Sequence, residues 1–436
     1  MPCRTLNLTA RTDRRYIRST YRSNRFVLAE IVAPHAHLEE GRTRPPVNLA
    51  FVLDRSGSMS GEKIRLAKRA VELSIGRLQA GDRFSVVTYD NYIDVVFDSQ
   101  LATPDAKQAA TRALGAFDAR GSTNLGDGWL RGCEQVARFL SAEGVNRTLL
   151  LTDGLANQGM TDRDELATHA GALRSRGVST STFGVGTDFD EALLQAMATA
   201  GGGNFYYMAD ERQIVDHITS EVGEALDVVA RDVRLEVVGP DGVTVESLSP
   251  FPFSATGGGR TVVSLGDLVA EQVLEVVLRL NFPYGEAGRE TGAVVSLAAR
   301  TTPPTDVSTD APAVALSWEY ADGKANDLQP RDVDVDRAVA RVFAARARQE
   351  ATALNRRGAF GEAEAALASV AKRIRSYAGH DAEMQALVGE LELRVSEVGA
   401  PMPEANRKEM FFASYNVAKR RTVDRKAMRR PNPDQI

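Results

Sequence analysis

The sequence predicts a multidomain protein in which a doubly wound, mostly parallel α/β sheet is inserted in an antiparallel β-sandwich and followed by a helical bundle. Three observations lead there. Between residues 47 and 226, continuous apolar runs such as NLAFVLD (48–54) and RTLLLTD (147–153) alternate with helical patterns. This is the texture of strands buried on both faces of a parallel sheet. Residues 228–320 lose the helical period and read as strands separated by Gly, Pro and Asp turns. From Val333 onward the pattern is helical again. A chain of 436 residues is also too long for one ordinary core.

In residues 1–45, short β-like runs alternate with polar breaks, and Arg25–Ala33 (RFVLAEIVA) is the clearest strand. Pro34, Pro45 and Pro46 mark a linker. In the α/β region, Gly61–Gln79 carries Ile64, Ala67, Val71, Ile75 and Leu78 at helical spacing. RFSVVTYD and DVVF read as strands, and Pro104–Phe117 and Leu125–Leu140 as helices. Asp162–Ser175, Asp190–Ala200 and Glu211–Leu226 read as three further helices, between and after the strands VSTSTFGVG and NFYYM. Alternation of this kind predicts an open sheet with helices on both faces.

In residues 228–320, DVRLEVVG, VTVESL, TVVSL, QVLEVVLRL, GAVVSLAA and AVALSWEY read as six strands. Six are few for a closed sandwich, and the N-terminal strands otherwise lack a partner. Residues 1–45 are therefore expected to complete it, which makes 47–226 an insertion. Residues 331–398 are expected to form a helical hairpin or three-helix bundle, with breaks at Gly358 and Gly379. Residues 399–436 read as a basic tail with Lys419-Arg420-Arg421 and Arg429-Arg430. Its one apolar cluster, MFFASY, leaves docking onto the protein's own body or a partner open beside a solvated reading.

Composition narrows the function classes. The chain is 43% hydrophobic and 25% charged with a formal net charge of -5, which gives no reason to expect nucleic acid as a partner. No apolar run is long enough to span a bilayer. The stretch MPCRTLNLTARTDRRYIRS has no apolar core and does not read as a signal peptide, so a cytoplasmic location is expected. Cys3 and Cys133 are the two cysteines, weak grounds for a disulfide in so large a chain.

The candidate site is D-R-S-G-S at 54–58, directly after a buried strand. Asp153, in L-T-D-G, ends a second apolar strand, and Thr123 lies in the loop G-S-T-N before a helix. Ligands of open α/β sheets bind outside the carboxyl ends of the strands, near the switch in strand order, so these three loops can converge. Asp54, Ser56, Ser58, Thr123 and Asp153 offer two carboxylates and three hydroxyls. Oxygen-only ligation of modest negative charge suits Mg²⁺, with Mn²⁺ and Ca²⁺ as alternatives, and leaves the cation electron-poor. The absence of His and Cys argues against Zn²⁺. Singly, each piece reads as a helix cap or a turn; together they are hard to obtain by chance.

D-x-S-x-S, the Thr of the G-S-T-N loop, and T-D-G after an apolar strand resemble the three segments of the metal-ion-dependent adhesion site in von Willebrand factor A domains. The resemblance covers about residues 47–226. It implies that Asp54, Ser56, Ser58 and Thr123 occupy metal-binding positions and that Asp153 contacts the ion directly or through water. The flanking β segments and helical C-terminus are similar to the bacterial and inter-alpha-trypsin-inhibitor heavy-chain-like branch. The family implies Mg²⁺-dependent binding of a protein partner that presents Asp or Glu to the ion, with no catalysis. In integrin-type members the last helix shifts on binding; here that helix would be about Glu211–Leu226.

The alternatives are a metal-dependent phosphoester hydrolase and a structural module whose site stays unoccupied. A phosphohydrolase built on Asp54 needs a carboxylate two residues on, where Ser56 stands. A serine hydrolase needs the Gly-x-Ser-x-Gly elbow, which G-S-M-S lacks. His35 and His37 have no further ligand nearby in sequence, and Gly201–Gly203 reads as a tight turn.

Overall fold

The computed structural model describes residues 4–34, 44–300, 307–308 and 313–419. Cys3, His35, His37 and the basic residues after Lys419 lie outside these.

The N-terminal segment forms β1 (Arg4–Thr5), β2 (Asn7–Thr12), β3 (Tyr16–Arg18) and β4 (Ser23–Val32). The α/β domain follows as β5 (Val47–Asp54), α1 (Glu62–Arg77), β6 (Arg83–Tyr89), β7 (Ile93–Leu101), α2 (Pro104–Gly115) and α3 (Leu125–Ala137). It continues with β8 (Val145–Thr152), α4 (Arg163–Ser175), β9 (Ser179–Val185), α5 (Glu191–Ala200), β10 (Gly202–Met208) and α6 (Gln213–Leu226). Its sheet order is β10-β9-β8-β5-β6-β7. All pairings are parallel except that of β7 with β6.

β5 and β8 sit side by side at the centre with every residue buried. That explains why both read as unbroken apolar runs rather than alternating ones. Leu49, Phe51 and Leu53 face the layer of α1, α2 and α6. Ala50 and Val52 face α3, α4 and α5. The period-2 alternation of side chains thus serves two cores at once. The chain runs from β5 outward to β6 and β7, then returns to β8 on the other side of β5. The switch point of the sheet is therefore at the carboxyl ends of β5 and β8.

The sandwich comprises β11 (Val228–Val238), β12 (Thr244–Ser247), β13 (Phe253–Ala255), β14 (Arg260–Val269), β15 (Val273–Phe282), β16 (Glu290–Arg300), β17 (Val307–Ser308) and β18 (Val314–Ala321). One sheet runs β13-β14-β11-β16-β18-β3 and the other β12-β15-β4-β2. The N-terminal strands thus enter both sheets, which makes the α/β domain an insertion between β4 and β11. The β18–β3 pairing is parallel, as is that of the small β1–β17 pair, in an otherwise antiparallel layer. The two faces share one core with Trp318, Phe282 and Val276.

The helical part is α7 (Gly323–Leu328), α8 (Val333–Arg356), α9 (Phe360–Ala378), α10 (Ala382–Val398) and α11 (Glu404–Lys419). α8 packs Val335, Val339 and Val342 on Phe26, Leu28 and Val277 of the sandwich. Its Ala340, Ala344, Ala347 and Ala351 face α9 and α10.

The reading of 399–436 as a tail needs correction over 404–419. MFFASY lies in α11, and Phe411, Phe412 and Tyr415 pack into the core of the α/β domain. Phe412 meets the Phe205 ring edge-on at 5.7 Å. β10 is the edge strand of its sheet, and its Phe205 N–H donates to the Tyr415 hydroxyl at 3.3 Å. Lys419 Nζ donates to the Gly203 carbonyl at 3.1 Å. α11 thereby covers backbone groups that an edge strand would otherwise leave open. The apolar cluster was visible in the sequence; the distant strand it covers was not.

Candidate metal centre

Asp54 is the last residue of β5, and its position follows from the strand itself. Its carboxylate is buried, accepting the Ser56 N–H at 2.8 Å and the Thr152 hydroxyl at 2.7 Å. Burial pushes its carboxyl up to about 6, against these hydrogen bonds, which lower it; the charge of Asp153 adds to the rise. A carboxylate whose charged form is penalised in this way gains from a nearby cation.

After Asp54 the chain makes a short 3-10 turn, Gly57–Met59, which brings Ser56 and Ser58 to one side with their hydroxyls 3.0 Å apart. The Ser58 hydroxyl donates to Asp153 Oδ1 at 2.7 Å. Asp153 follows β8, so the link ties the first and third loops across the switch point. The other oxygen of Asp153 holds the Lys63 ammonium, which comes from the first turn of α1.

The second loop is fixed by backbone and charge. Gly57 N–H donates to the Gly121 carbonyl at 3.0 Å, and Arg120 N–H to the Arg55 carbonyl at 2.6 Å. Arg55 and Arg120 both pair with Asp90, at 3.1 and 2.8 Å. Thr123 N–H donates to Asn157 Oδ1 at 3.1 Å, joining the second loop to the third.

Thr123 is 4% exposed, and its hydroxyl has no hydrogen-bond partner among the described residues. A Cβ built on Gly154 would lie 3.4 Å from Thr123 Oγ1 and 3.8 Å from Ser58 Oγ. Two hydroxyls from different loops thus approach the same side of Gly154. The Thr123 hydroxyl, two neighbouring serines and two carboxylates make an oxygen-only donor set suited to a hard divalent cation. All five residues singled out in the sequence meet here. Among the described residues, no group of three or more His, Cys, Asp or Glu suggests a second type of metal site.

The sequence reading missed Lys63, Thr152, Asn157 and the Arg55–Asp90–Arg120 cluster. None carries a local signal, because each acts across a long stretch of chain. Cys133 is a free, buried thiol, which burial pushes up to about 12 and so keeps unreactive.

With this geometry in view, the comparison with known proteins is specific. Residues 48–221 match the von Willebrand factor type A domain family. This segment is a von Willebrand factor type A domain. YfbK of Escherichia coli is 34% identical over 199 residues, covering 44% of this chain and 34% of that protein. Inter-alpha-trypsin inhibitor heavy chain H1 of Mesocricetus auratus is 28% identical over 232 residues, covering 50% of this chain and 25% of that protein. The matches thus span less than two thirds of these relatives' own length. A solved structure described as von Willebrand factor type A from Catenulispora acidiphila superposes with a TM-score of 0.73 at 18% identity. It covers 95% of this chain and 97% of that one, so the likeness in fold extends beyond the A domain to the sandwich and helices.

The A domain's last helix, α6, is held from below by charge. Arg147, at the start of β8, donates to Glu221 of α6 at 2.8 Å, and both are buried. Ser181 and Tyr206 donate to the same carboxylate, each at 2.5 Å. Burial lowers the Arg147 guanidinium, but the Glu221 and Asp267 carboxylates outweigh it and raise it above its usual value. Asp267 belongs to β14, so this cluster touches the sandwich as well.

Proposed function

We propose that this protein is a Mg²⁺-dependent protein-binding scaffold or adaptor without catalytic chemistry. Asp54, Ser56, Ser58, Thr123 and Asp153 would hold the ion, and an Asp or Glu of a protein partner would complete its shell. The observation that carries this reading is the convergence of the unpartnered Thr123 hydroxyl and the Ser58 hydroxyl on Gly154, beside Asp54 and Asp153. Two carboxylates only neutralise a divalent cation and three hydroxyls add no charge, so with the Lys63 ammonium on Asp153 the surroundings favour an anionic sixth partner over a neutral one.

Once bound, the ion supplies an electron-poor acceptor for an external carboxylate. The chain supplies the placement. Thr152 and the Ser56 N–H orient Asp54, Ser58 orients Asp153, and Asn157 fixes the Thr123 loop. Among the described residues, the ionisable groups paired at these loops are the ammonium of Lys63 and the linked Arg55, Asp90 and Arg120, none of them a free base. The arrangement therefore favours binding over hydrolysis.

The test is capture of partners on the immobilised full chain with Mg²⁺, with EDTA, and with Asp54→Ala/Asp153→Ala. A partner retained only by the metal-loaded, intact site is the expected result. Equal retention in all three arms, or turnover of a generic phosphoester that requires Asp54, would overturn it.

A further inference from the structure

A second cleft lies at the opposite end of the A-domain sheet, between the amino ends of β9 and β10 and the sandwich strands β11 and β14. Its volume is about 330 Å³. Arg174, at the end of α4, and Arg231 and Arg234, on β11, line it together with Asp232 and Asp267.

The charges are unevenly matched. Arg234 pairs with Asp232, and Arg147 stands 3.6 Å from Asp267. Asp267 also accepts the Asp232 N–H at 3.1 Å. Both carboxylates of the lining are thus engaged by other groups. The Arg174 guanidinium has no hydrogen-bond partner among the described residues, and its Nη2 is buried. A buried cationic donor without an acceptor is uncommon and asks for an explanation.

The backbone around Arg174 is shaped to admit it. Gly202 adopts φ +71, and a Cβ there would lie 2.7 Å from Arg174 Nε. Gly266 adopts φ +92, and a Cβ there would fall 3.2 Å from the Gly202 carbonyl and 3.8 Å from Arg174 Nη2. Gly202 therefore clears the room for the guanidinium, and Gly266, from the other domain, clears the room for the Gly202 backbone. Asp232, on the facing strand, is one of two non-glycine residues with positive φ among the described residues, at 47. Strained backbone beside a cleft is where ligand contacts concentrate.

We propose that this cleft binds a small ligand carrying an oxyanion, a phosphate ester or a carboxylate, whose charged oxygens accept from Arg174 between the A domain and the sandwich. Guanidinium geometry matches both groups, which present paired oxygens to its fork of donors. The site is independent of the candidate metal centre, which sits at the carboxyl ends of β5 and β8, across the same sheet.

The experiment titrates the full chain with inorganic phosphate and, separately, citrate, by calorimetry and thermal shift in EDTA at constant ionic strength. Saturable binding of at least one is expected, weakened 10-fold or more in Arg174→Gln and to a lesser extent in Arg234→Gln. Phosphate alone assigns phosphate esters; citrate alone assigns carboxylates. Arg174→Gln without ligand should melt no lower than the parent, because it removes a guanidinium whose buried Nη2 has no acceptor among the described residues; a lower melting temperature would mean a structural role and overturn the proposal. Arg234 is half exposed, so its variant reports on binding even if the other misfolds. Binding of neither probe, or binding unchanged in both variants, also overturns it.

Discussion

Lys63 places its ammonium on one carboxylate oxygen of Asp153 while Ser58, five residues earlier, donates to the other. The charge of Asp153, fully buried at the candidate metal centre, is therefore already balanced before any ion arrives. Lys63 and a divalent cation would share one carboxylate. Lys63→Met should lower the melting temperature in EDTA, by the equivalent of about 1–3 kcal/mol for a buried acceptor left short. It should also enlarge the shift produced by Mg²⁺. Thermal denaturation with and without Mg²⁺ reads both; a smaller Mg²⁺ shift in the variant would count against competition.

Thr123 and Gly154 separate the cost of the fold from the cost of the site. The Thr123 hydroxyl has no hydrogen-bond partner among the described residues, so Thr123→Val should leave stability in EDTA within about 0.5 kcal/mol. Gly154→Ala sets a methyl in ordinary contact with that hydroxyl, 3.4 Å away, and serves as the control that leaves it in place. Thr123→Val should lose most of the Mg²⁺ stabilisation, which for an ion at about 100 times its Kd is about 2.7 kcal/mol. Full retention of that shift in Thr123→Val would remove the hydroxyl from the ion's shell.

Glu191 ties α11 to the A domain through charge. It is buried and pairs with Lys408 at 2.8 Å and Arg356 at 2.5 Å. Burial raises its carboxyl, but the hydrogen bond and charge of Lys408 overcome this and hold it below the usual carboxylate range. A depressed carboxyl contributes stability above its unfolded value, near 4.3, that is lost as pH falls through the folded value. Glu191→Gln should therefore melt lower than the parent at pH 7, and the gap should close as pH drops below about 4.3. A gap constant with pH would exclude this charge as the cause.

Arg147 and Glu221 anchor α6 to the sheet. Arg147→Met leaves the Glu221 carboxylate buried without its charge partner and should cost about 3–5 kcal/mol. Adding Glu221→Gln should recover part of that loss, a coupling that a double-mutant cycle on urea denaturation measures. Additive losses would mean the pair is not coupled.

Removing α11 should expose β10 as an open edge with Phe205 and Tyr207 beside it. A chain ending at residue 403 is expected to self-associate, a hazard of uncovered edge strands. Sedimentation at rising concentration checks it; a monomer throughout would show that the edge is protected by other means.

Much of this was legible in one dimension because the physics involved is local. NLAFVLD and RTLLLTD are apolar on both faces, so they predicted central strands whose ends carry Asp54 and Asp153. The helices read from Asp162 and Asp190 begin just after those residues, whose side chains cap them in the structure. β13 and α7 escaped notice because three and six residues carry too little period to stand out.

What the sequence alone determined was the kind of chain this is: which segments alternate at period two or near 3.6, and which oxygen-bearing side chains stand at strand ends. What only the tertiary structure decided was who meets whom. Lys63 reaches Asp153 across 90 residues, Tyr415 reaches Phe205 across 210, and the buried Nη2 of Arg174 has no acceptor among the described residues. The reason is that backbone propensity and hydrophobic period act over a few residues, whereas charge pairing, edge protection and an empty space beside a glycine depend on which distant segments packing brings within a few ångströms.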